Sequence, residues 1–506
     1  MKRNLFIYLL LTIIPTIIIL FSFSSNDPEI PISSESQDCI FCHKELHPGL
    51  VADWETSLHA RQTPAEAEEK SDLEKRMSSF TANEAFKNVA VGCYECHSLN
   101  TSEHTDAFEH NGYKITVVVS PNDCAECHAT EAEEYKDNIM SHAYANLIDN
   151  SLYSDLRLTI NGQYEFKDKK LQITHADRLT TEESCLYCHG TKVETEGTET
   201  RSTMFGDMDF PKLKGWPNQG VGRINPDGSK GSCAACHTRH EFSIATARKP
   251  HTCAECHKGP DVPAYKVYLA SKHGNLYESK SSDMNFTNVP WTVGKDFTVP
   301  TCATCHVSLI TDENEQIIAE RTHAFNDRLS WRLFGVPYAH PHPIDGDVSK
   351  IKNSAGLPIP VELNSEPVSE FLISPEEQES RTARMKKVCT ACHSTSWSDG
   401  HFARLDNTIE NTNALTLTAT NILSEAWKKG YAKGLPQGAN IFDESIERDW
   451  VKIWLFHANS TRFASAMGGG GDYGVFADGR FQLSELIQKM YEWIELQEEL
   501  ESKKNK

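Results

Sequence analysis

Past residue 25 the chain offers no apolar run long enough to span a bilayer, and it has no surplus of positive charge. Its 50 Lys and Arg face 71 Asp and Glu, a formal net charge of −21. That balance argues against a nucleic-acid partner and suits a soluble protein that meets basic partners. Nor is any cysteine left over, because all sixteen fall into one repeated pattern. At the N-terminus Lys2 and Arg3 precede the uncharged "LFIYLLLTIIPTIIILFSF", and "SFSSND" follows with small residues for cleavage. This is the plan of a signal peptide, yet the run is also long enough to act as an anchor if uncut. Residues 1–25 are therefore expected to be a signal peptide or an N-terminal membrane anchor. The rest is expected to be exported to the periplasm or an equivalent compartment, soluble or tethered by that segment.

Export normally predicts disulfides for so many cysteines. The spacing predicts something else. The pairs are Cys39/Cys42, Cys93/Cys96, Cys124/Cys127, Cys185/Cys188, Cys233/Cys236, Cys253/Cys256, Cys302/Cys305 and Cys389/Cys392. Each is followed at once by a histidine: His43, His97, His128, His189, His237, His257, His306 and His393. Two thiols three positions apart share a helical turn and can add to the two vinyl groups of one haem. The next imidazole then meets the iron as proximal ligand. Structural zinc also uses Cys-x-x-Cys, but it does not need the same histidine at every pair. The expectation is eight covalently attached haem c groups.

Eight of the 22 histidines are then proximal, which leaves fourteen. A haem that only passes electrons usually has both axial positions filled, often by two histidines, whereas one that binds substrate keeps a position open. His240, three places after His237, is close enough to a haem-binding turn to reach a neighbouring iron.

Haem sites from residue 39 to 393 leave little room for an ordinary core, so the haems themselves should form much of the interior, wrapped by short helices and long loops. The fold class expected is mainly α: a haem-packed multihaem cytochrome c body over 26–400, then a helical C-terminal domain over 401–506. Pro341 to Ser380, rich in proline and acid, reads as a long surface excursion. "NTNALTLTATNILSEAWKKGYAKG" and "IERDWVKIWLFHANSTRFASAM" read as amphipathic helices. So does the last stretch, with Leu483, Leu486, Ile487, Met490, Trp493 and Ile494 at three-and-four spacing. The glycine-rich "GGGGDYGVFADGRF" separates the last two.

These residues resemble the octahaem hydroxylamine oxidoreductase family of multihaem cytochromes c. The likeness runs through "CHKELHPGLVADWETSLHA", "VSPNDCAECH", "SHAYA", "GRINPDGSKGSCAACHTRH" and "ARKPHTCAECHKGPD". It continues in "SKHGN", "PTCATCH", "THAFNDRLSW" and the "GGDYG" turn. The resemblance implies a homotrimer with seven bis-histidine haems and one catalytic haem, the fourth, held here by Cys185, Cys188 and His189. It also implies distal ligands among His59, His110, His142, His240, His273, His323, His457 and His401, one more name than there are places. His47, His104, His175 and His251 lack that context and read as surface or loop residues.

Two directions of reaction follow from the resemblance, the first the one expected and the second its alternative. One is oxidation of hydroxylamine to nitric oxide or nitrite, with electrons passed to a small cytochrome c or a quinone-linked redox partner. The other is reduction of nitrite or hydroxylamine. In oxidising members a neighbouring subunit's tyrosine is joined to the catalytic haem, and Tyr473 is the residue best placed to match. Those members also carry an adjacent Asp-His pair over the iron, and this sequence has no Asp-His dipeptide. Hydroxylamine oxidation releases protons, so a base in reach matters. Tyr338 and His340, in "GVPYAHPHP", are the candidates for the pocket, whereas Arg328 and Trp331 read as structural or haem-propionate contacts. The reading from another class is a pure electron-transport cytochrome in which every iron is saturated.

Overall fold

The structure is a computed structural model that describes residues 30–506. About 49% of it is helical and its strands are few and short, the mainly α architecture expected of a multihaem cytochrome. The N-terminal segment read as a signal or anchor lies outside the described residues. Among the described residues no helix is long and apolar enough to cross a membrane.

Local chemistry shapes the haem-binding units. Cys93–His97, Cys185–His189 and Cys302–His306 each form one short helix of five residues. Five residues make little more than one turn, so both thiols and the imidazole leave the same side. Thr301 opens its turn by donating its N–H to Thr304 Oγ1 at 2.9 Å. Ser120 and Asp123 cap the Pro121–Lys136 helix reciprocally, with Pro121 at its first position. That helix breaks at His128, where φ −121° and ψ 47° leave the helical region. All eight units contribute to the wall of one continuous cavity of about 3500 Å³. A single ligand pocket is roughly 300–1000 Å³.

The C-terminal part is filled differently. Thr395–Lys429, Ser445–Val451, Asn459–Ala466 and Arg480–Lys504 bury Trp427, Phe442, Trp450, Trp454, Leu483 and Met490 together. Each such side chain contributes about 1.5–3 kcal/mol by leaving water. Gly430, at φ +72°, ends the long helix in the left-handed conformation, and Tyr431 N–H donates to the Ala426 carbonyl. The expected apolar stripe of the last helix is found. Leu483, Met490 and Ile494 are buried, and Leu486, Ile487 and Trp493 pack beside them. The boundary expected at 400 falls inside the Thr395–Lys429 helix, and this core also takes Leu152, Leu156, Tyr338, Ile359 and Val361 from earlier in the chain.

Two features differ from the sequence expectation. Pro341–Ser380 is no surface excursion, since Val348, Ile351, Ile359, Val361, Leu372 and Ile373 are all buried. Asparagines stand in for regular backbone pairing there. Asn353 donates to the Val361 carbonyl and accepts from the N–H groups of Ala355 and Leu357. Asn146 joins the Gly346 carbonyl to the Val348 N–H. The second feature is a pair of antiparallel hairpins, Gln163–Lys167 with Lys170–Thr174 and Glu194–Thr203 with Gly206–Lys214, that flank the fourth haem-binding unit in the chain.

Candidate haem sites and the fourth site

Two imidazoles on one metal must face each other across a gap. With metal–nitrogen bonds of ~2 Å on each side, the ring centres lie about 6 Å apart. His43 and His110 have centroids 6.2 Å apart, and His59 and His128 6.3 Å. His237 and His323 are 6.4 Å apart, and His273 and His393 6.1 Å. His240 lies where it feels the charge of His97. Burial holds His59, His237, His240, His306 and His323 down at about 4, so these rings are neutral near pH 7 and keep a free lone pair. Backbone carbonyls orient others: His97 Nδ1 lies 2.7 Å from the Thr116 carbonyl and His189 Nδ1 3.1 Å from that of Ala143, which turns Nε2 outward. Among the described residues no group of three or more Cys, His, Asp or Glu side chains is arranged to hold a metal ion as a zinc site would require. The cavity, the thiol pairs and the facing rings fit haem.

One thiol departs from the pattern. Cys42 is off the cavity wall, whereas Cys39 and His43 of the same unit, and both cysteines of every other unit, line it. The Ser34–Leu46 helix turns Phe41, 82% exposed, to solvent, while Cys42 beside it is half-buried.

The thiols also give the order of the units in space. Cys39 lies within hydrogen-bonding reach of Cys93, Cys124 of Cys233, Cys253 of Cys302, and Cys188 of Cys256. Cys96 feels the charge of Cys127, Cys236 that of Cys253, and Cys305 that of Cys389. The units therefore run first, second, third, fifth, sixth, seventh, eighth, and the fourth joins at the sixth.

At this branch the surroundings change. The charged groups that act on His189 are Asp261 and Arg332. Asp261 also acts on Cys188 and His257, which places it toward the sixth unit. Arg332 pairs in register with His340 in a two-residue hairpin, and His342 follows on the same strand face. His340 Nδ1 lies 2.6 Å from the Pro341 carbonyl and His342 Nδ1 3.4 Å from that of Pro343. Burial, then the Arg332 charge, lowers both rings to about 3. The Ser151–Asn161 helix adds Tyr153, Leu156, Arg157 and Asn161 to the cavity wall. Asn161 Nδ2 reaches Cys185 Sγ at 3.5 Å. Gly190, at φ +88°, lies so close to the Gly222–Arg223 backbone that a Cβ would collide with it.

The other residues singled out from the sequence scatter. Tyr338 is buried in the C-terminal core and donates to the Leu363 carbonyl at 2.8 Å, off the cavity wall. His340 is off that wall too, behind Arg332, while His342, not singled out from the sequence, lies on it. The alternation in "HPHP", with both imidazoles on one face, was the available signal. His401 lines the cavity beside Trp397, whose ring stacks on His393 at 3.9 Å. His142 turns from the wall to the Lys136 carbonyl and Lys230, and His457 to Asp478 Oδ1 at 2.8 Å. Asp478 also accepts from Ser460 and from the Tyr473 phenol, which burial and then Asp478 push up to about 12. His104 is not a surface residue. It is 5% exposed, with Asp106 at 3.0 Å, Asp123 at 3.2 Å and Asp227 at 3.9 Å.

Comparison with known proteins points the same way. Residues 225–330 match the family described as "seven times multi-haem cytochrome CxxCH", and 123–209 match "cytochrome c554 and c-prime". A solved structure described as a hypothetical multiheme protein is 39% identical, with a TM-score of 0.88 over 94% of this chain and 98% of that one. The chain belongs to the multihaem cytochrome c family and carries covalently bound haem c. Two more distant relatives have names that mention hydroxylamine oxidoreductase or HAO. A "probable nitrite reductase-hydroxylamine oxidoreductase fusion protein" of Kuenenia stuttgartiensis is 24% identical over 374 residues, 71% of this chain. The chain spans about a third of that relative's length. A reducing HAO-like protein complex of the same organism shares the fold at 18% identity, with a TM-score of 0.61 over 93% of this chain and 87% of that one.

Proposed function

We propose that the protein is an octahaem c-type oxidoreductase that works on hydroxylamine and nitrite at the unit of Cys185, Cys188 and His189. The haem would supply the redox centre and the binding position there. The carrying observation is the branch: the fourth unit joins the row at the sixth, and His189 belongs to none of the four facing histidine pairs. The facing pairs His43/His110, His59/His128, His237/His323 and His273/His393, with His97/His240, would hold relay haems that pass electrons along the row. His342 and His401 are further imidazoles on the wall.

The direction we favour is inward, reduction of the nitrogen compound. An oxidase needs a base to accept protons, and the imidazoles that meet carboxylates, His104 with Asp106 and His457 with Asp478, both stand off the cavity wall, the second holding Tyr473. The oxidising direction keeps one observation in its favour. Tyr473 borders an exposed apolar ridge of Val475, Phe476 and Phe481 that a neighbouring subunit of a trimer could cover, bringing its phenol to that subunit's fourth unit. A third reading, a conduit without substrate, requires all eight units saturated.

The test is a holoprotein assay run both ways. Reduction of nitrite or hydroxylamine with an artificial donor supports the proposal. Hydroxylamine oxidation with a small cytochrome c as acceptor, together with an extra visible band from a tyrosine-linked haem, would reverse the direction. No spectral change with either compound would leave the conduit.

A further inference from the structure

An imidazole that binds a metal has a second nitrogen, and what that nitrogen meets orients the ring and sets how strongly it donates. Among the proximal histidines of the described residues, His97 and His189 turn Nδ1 to a backbone carbonyl. The first unit is different. There His43 Nδ1 lies 3.0 Å from His47 Nδ1. The ring centres are 5.1 Å apart and the planes differ by 24°, so the two nitrogens lie near the line that joins the centres. That is the in-plane geometry an N–H···N bond requires. His43 would bind iron through Nε2, which leaves Nδ1 to the protein, and His47 is off the cavity wall. A haem in the cavity would therefore not displace this contact.

The chain builds the contact locally. Residues four apart share a helix face, and His47 closes the Ser34–Leu46 helix four places after His43. Its N–H donates to the His43 carbonyl at 2.7 Å, and its own carbonyl accepts from the N–H groups of Leu50 and Val51. Pro48 cannot continue the first helix and opens the next, Pro48–Thr56, at its first position. Lys44 and Glu55, 2.9 Å apart, span the joint. His47 is exposed, as a loop residue should be, yet its backbone is tied on both sides and holds the ring against His43.

A neutral His43 that binds through Nε2 keeps its proton on Nδ1, so His43 donates and His47 accepts. An imidazole nitrogen is a much stronger base than a peptide carbonyl. It draws the His43 proton further, gives the ring more negative character and so favours ferric over ferrous iron. We infer that His47 is a positioning residue for the first haem, orienting the His43 ring and holding the potential of that haem below what a carbonyl partner would give. The first unit stands at one end of the row, where a low potential favours electrons running inward. That consequence rests on the proposed direction of the reaction, whereas the contact does not.

The experiment follows reduction of the holoprotein by spectroelectrochemistry at about pH 8, where free imidazole is neutral, and records the low-spin ferric signals by electron paramagnetic resonance. His47→Ala is expected to raise the potential of one haem by about tenfold in its reduced-to-oxidised ratio, ~59 mV for one electron, and to move one ferric signal as the His43 ring turns. His47→Asn sets a carbonyl oxygen where Nδ1 stood, and should keep the ring orientation while recovering only part of the potential. Potentials and signals that match the wild type at an equal haem count by mass would overturn the inference. An equal shift at every haem would overturn it too, because it would mark a general loosening of the fold. Should His47→Ala attach fewer haems, His47→Asn decides on the same two readings. One shifted potential beside turnover that runs only outward would sink the proposed direction and leave the role of His47 standing.

Discussion

The part of the chain from Cys39 to His393 and the part from Thr395 onward solve the problem of an interior in opposite ways. In the first, thiols, imidazoles and arginines line a cavity of about 3500 Å³, and the largest apolar cluster, around Tyr268, Trp291, Phe297 and Ile310, is modest. In the second, Trp427, Trp450, Trp454, Leu483 and Met490 pack on one another with nothing between them. One interior is complete as protein; the other is complete only with its haems.

The largest effect should therefore come from withholding haem. Chain produced without covalent attachment should lose protection from hydrogen exchange and proteolysis across the first part, while the amides of Thr395–Lys429 and Arg480–Lys504 stay comparatively protected. Equal protection in both parts would break the comparison.

The second part should respond as an ordinary core does. Trp454→Ala removes a fully buried indole and should cost about 3–5 kcal/mol, read from denaturant unfolding of the C-terminal helices. The haem spectrum should not change. A shifted spectrum would mean that the core passes strain to the cavity through Leu156, which belongs to both.

The sequence was most legible where chemistry fixes spacing. Cys-x-x-Cys-His can be read without neighbours, because one turn satisfies it, and the stripe Leu483–Met490–Ile494 can be read because a helix repeats. What could not be read was decided by contacts distant in the chain. Spacing alone did not reveal that Phe41, inside the first unit, faces solvent, because exposure depends on what the rest of the fold leaves uncovered. Asn353 and Asn146 look like loop residues, yet their amides complete the backbone of a buried segment rich in proline. Glu194–Thr203 is so polar on both faces that no alternation marks it as a strand. His342 and Arg332 come together because a short hairpin sets Arg332 opposite His340, and ten residues of ordinary composition carry no sign of that register. His104 was misread for the same reason, since its carboxylate partners Asp123 and Asp227 come from remote segments.

His104 also sharpens the comparison, because the haem-lined part uses a charged clasp where the C-terminal part uses tryptophans. Its imidazole joins Asp106, Asp123 at the start of the third haem-binding helix, and Asp227 in the turn ahead of the fifth unit. Desolvation alone would lower its pKa, but the hydrogen bond to Asp106 and the ion pair with Asp123 outweigh that and raise it from 6.5 to about 10. A folded-state pKa above the unfolded value stabilises fully below the unfolded pKa and fades as pH rises through the folded one. His104→Gln should thus destabilise by about 2–3 kcal/mol near pH 6, the cost of leaving carboxylates without their cation. The gap between wild type and variant should close steadily toward pH 10. A gap that stays constant over this range, measured by denaturant unfolding of the two holoproteins, would mean that His104 acts through neutral hydrogen bonds and that the first part is clasped by shape rather than by charge.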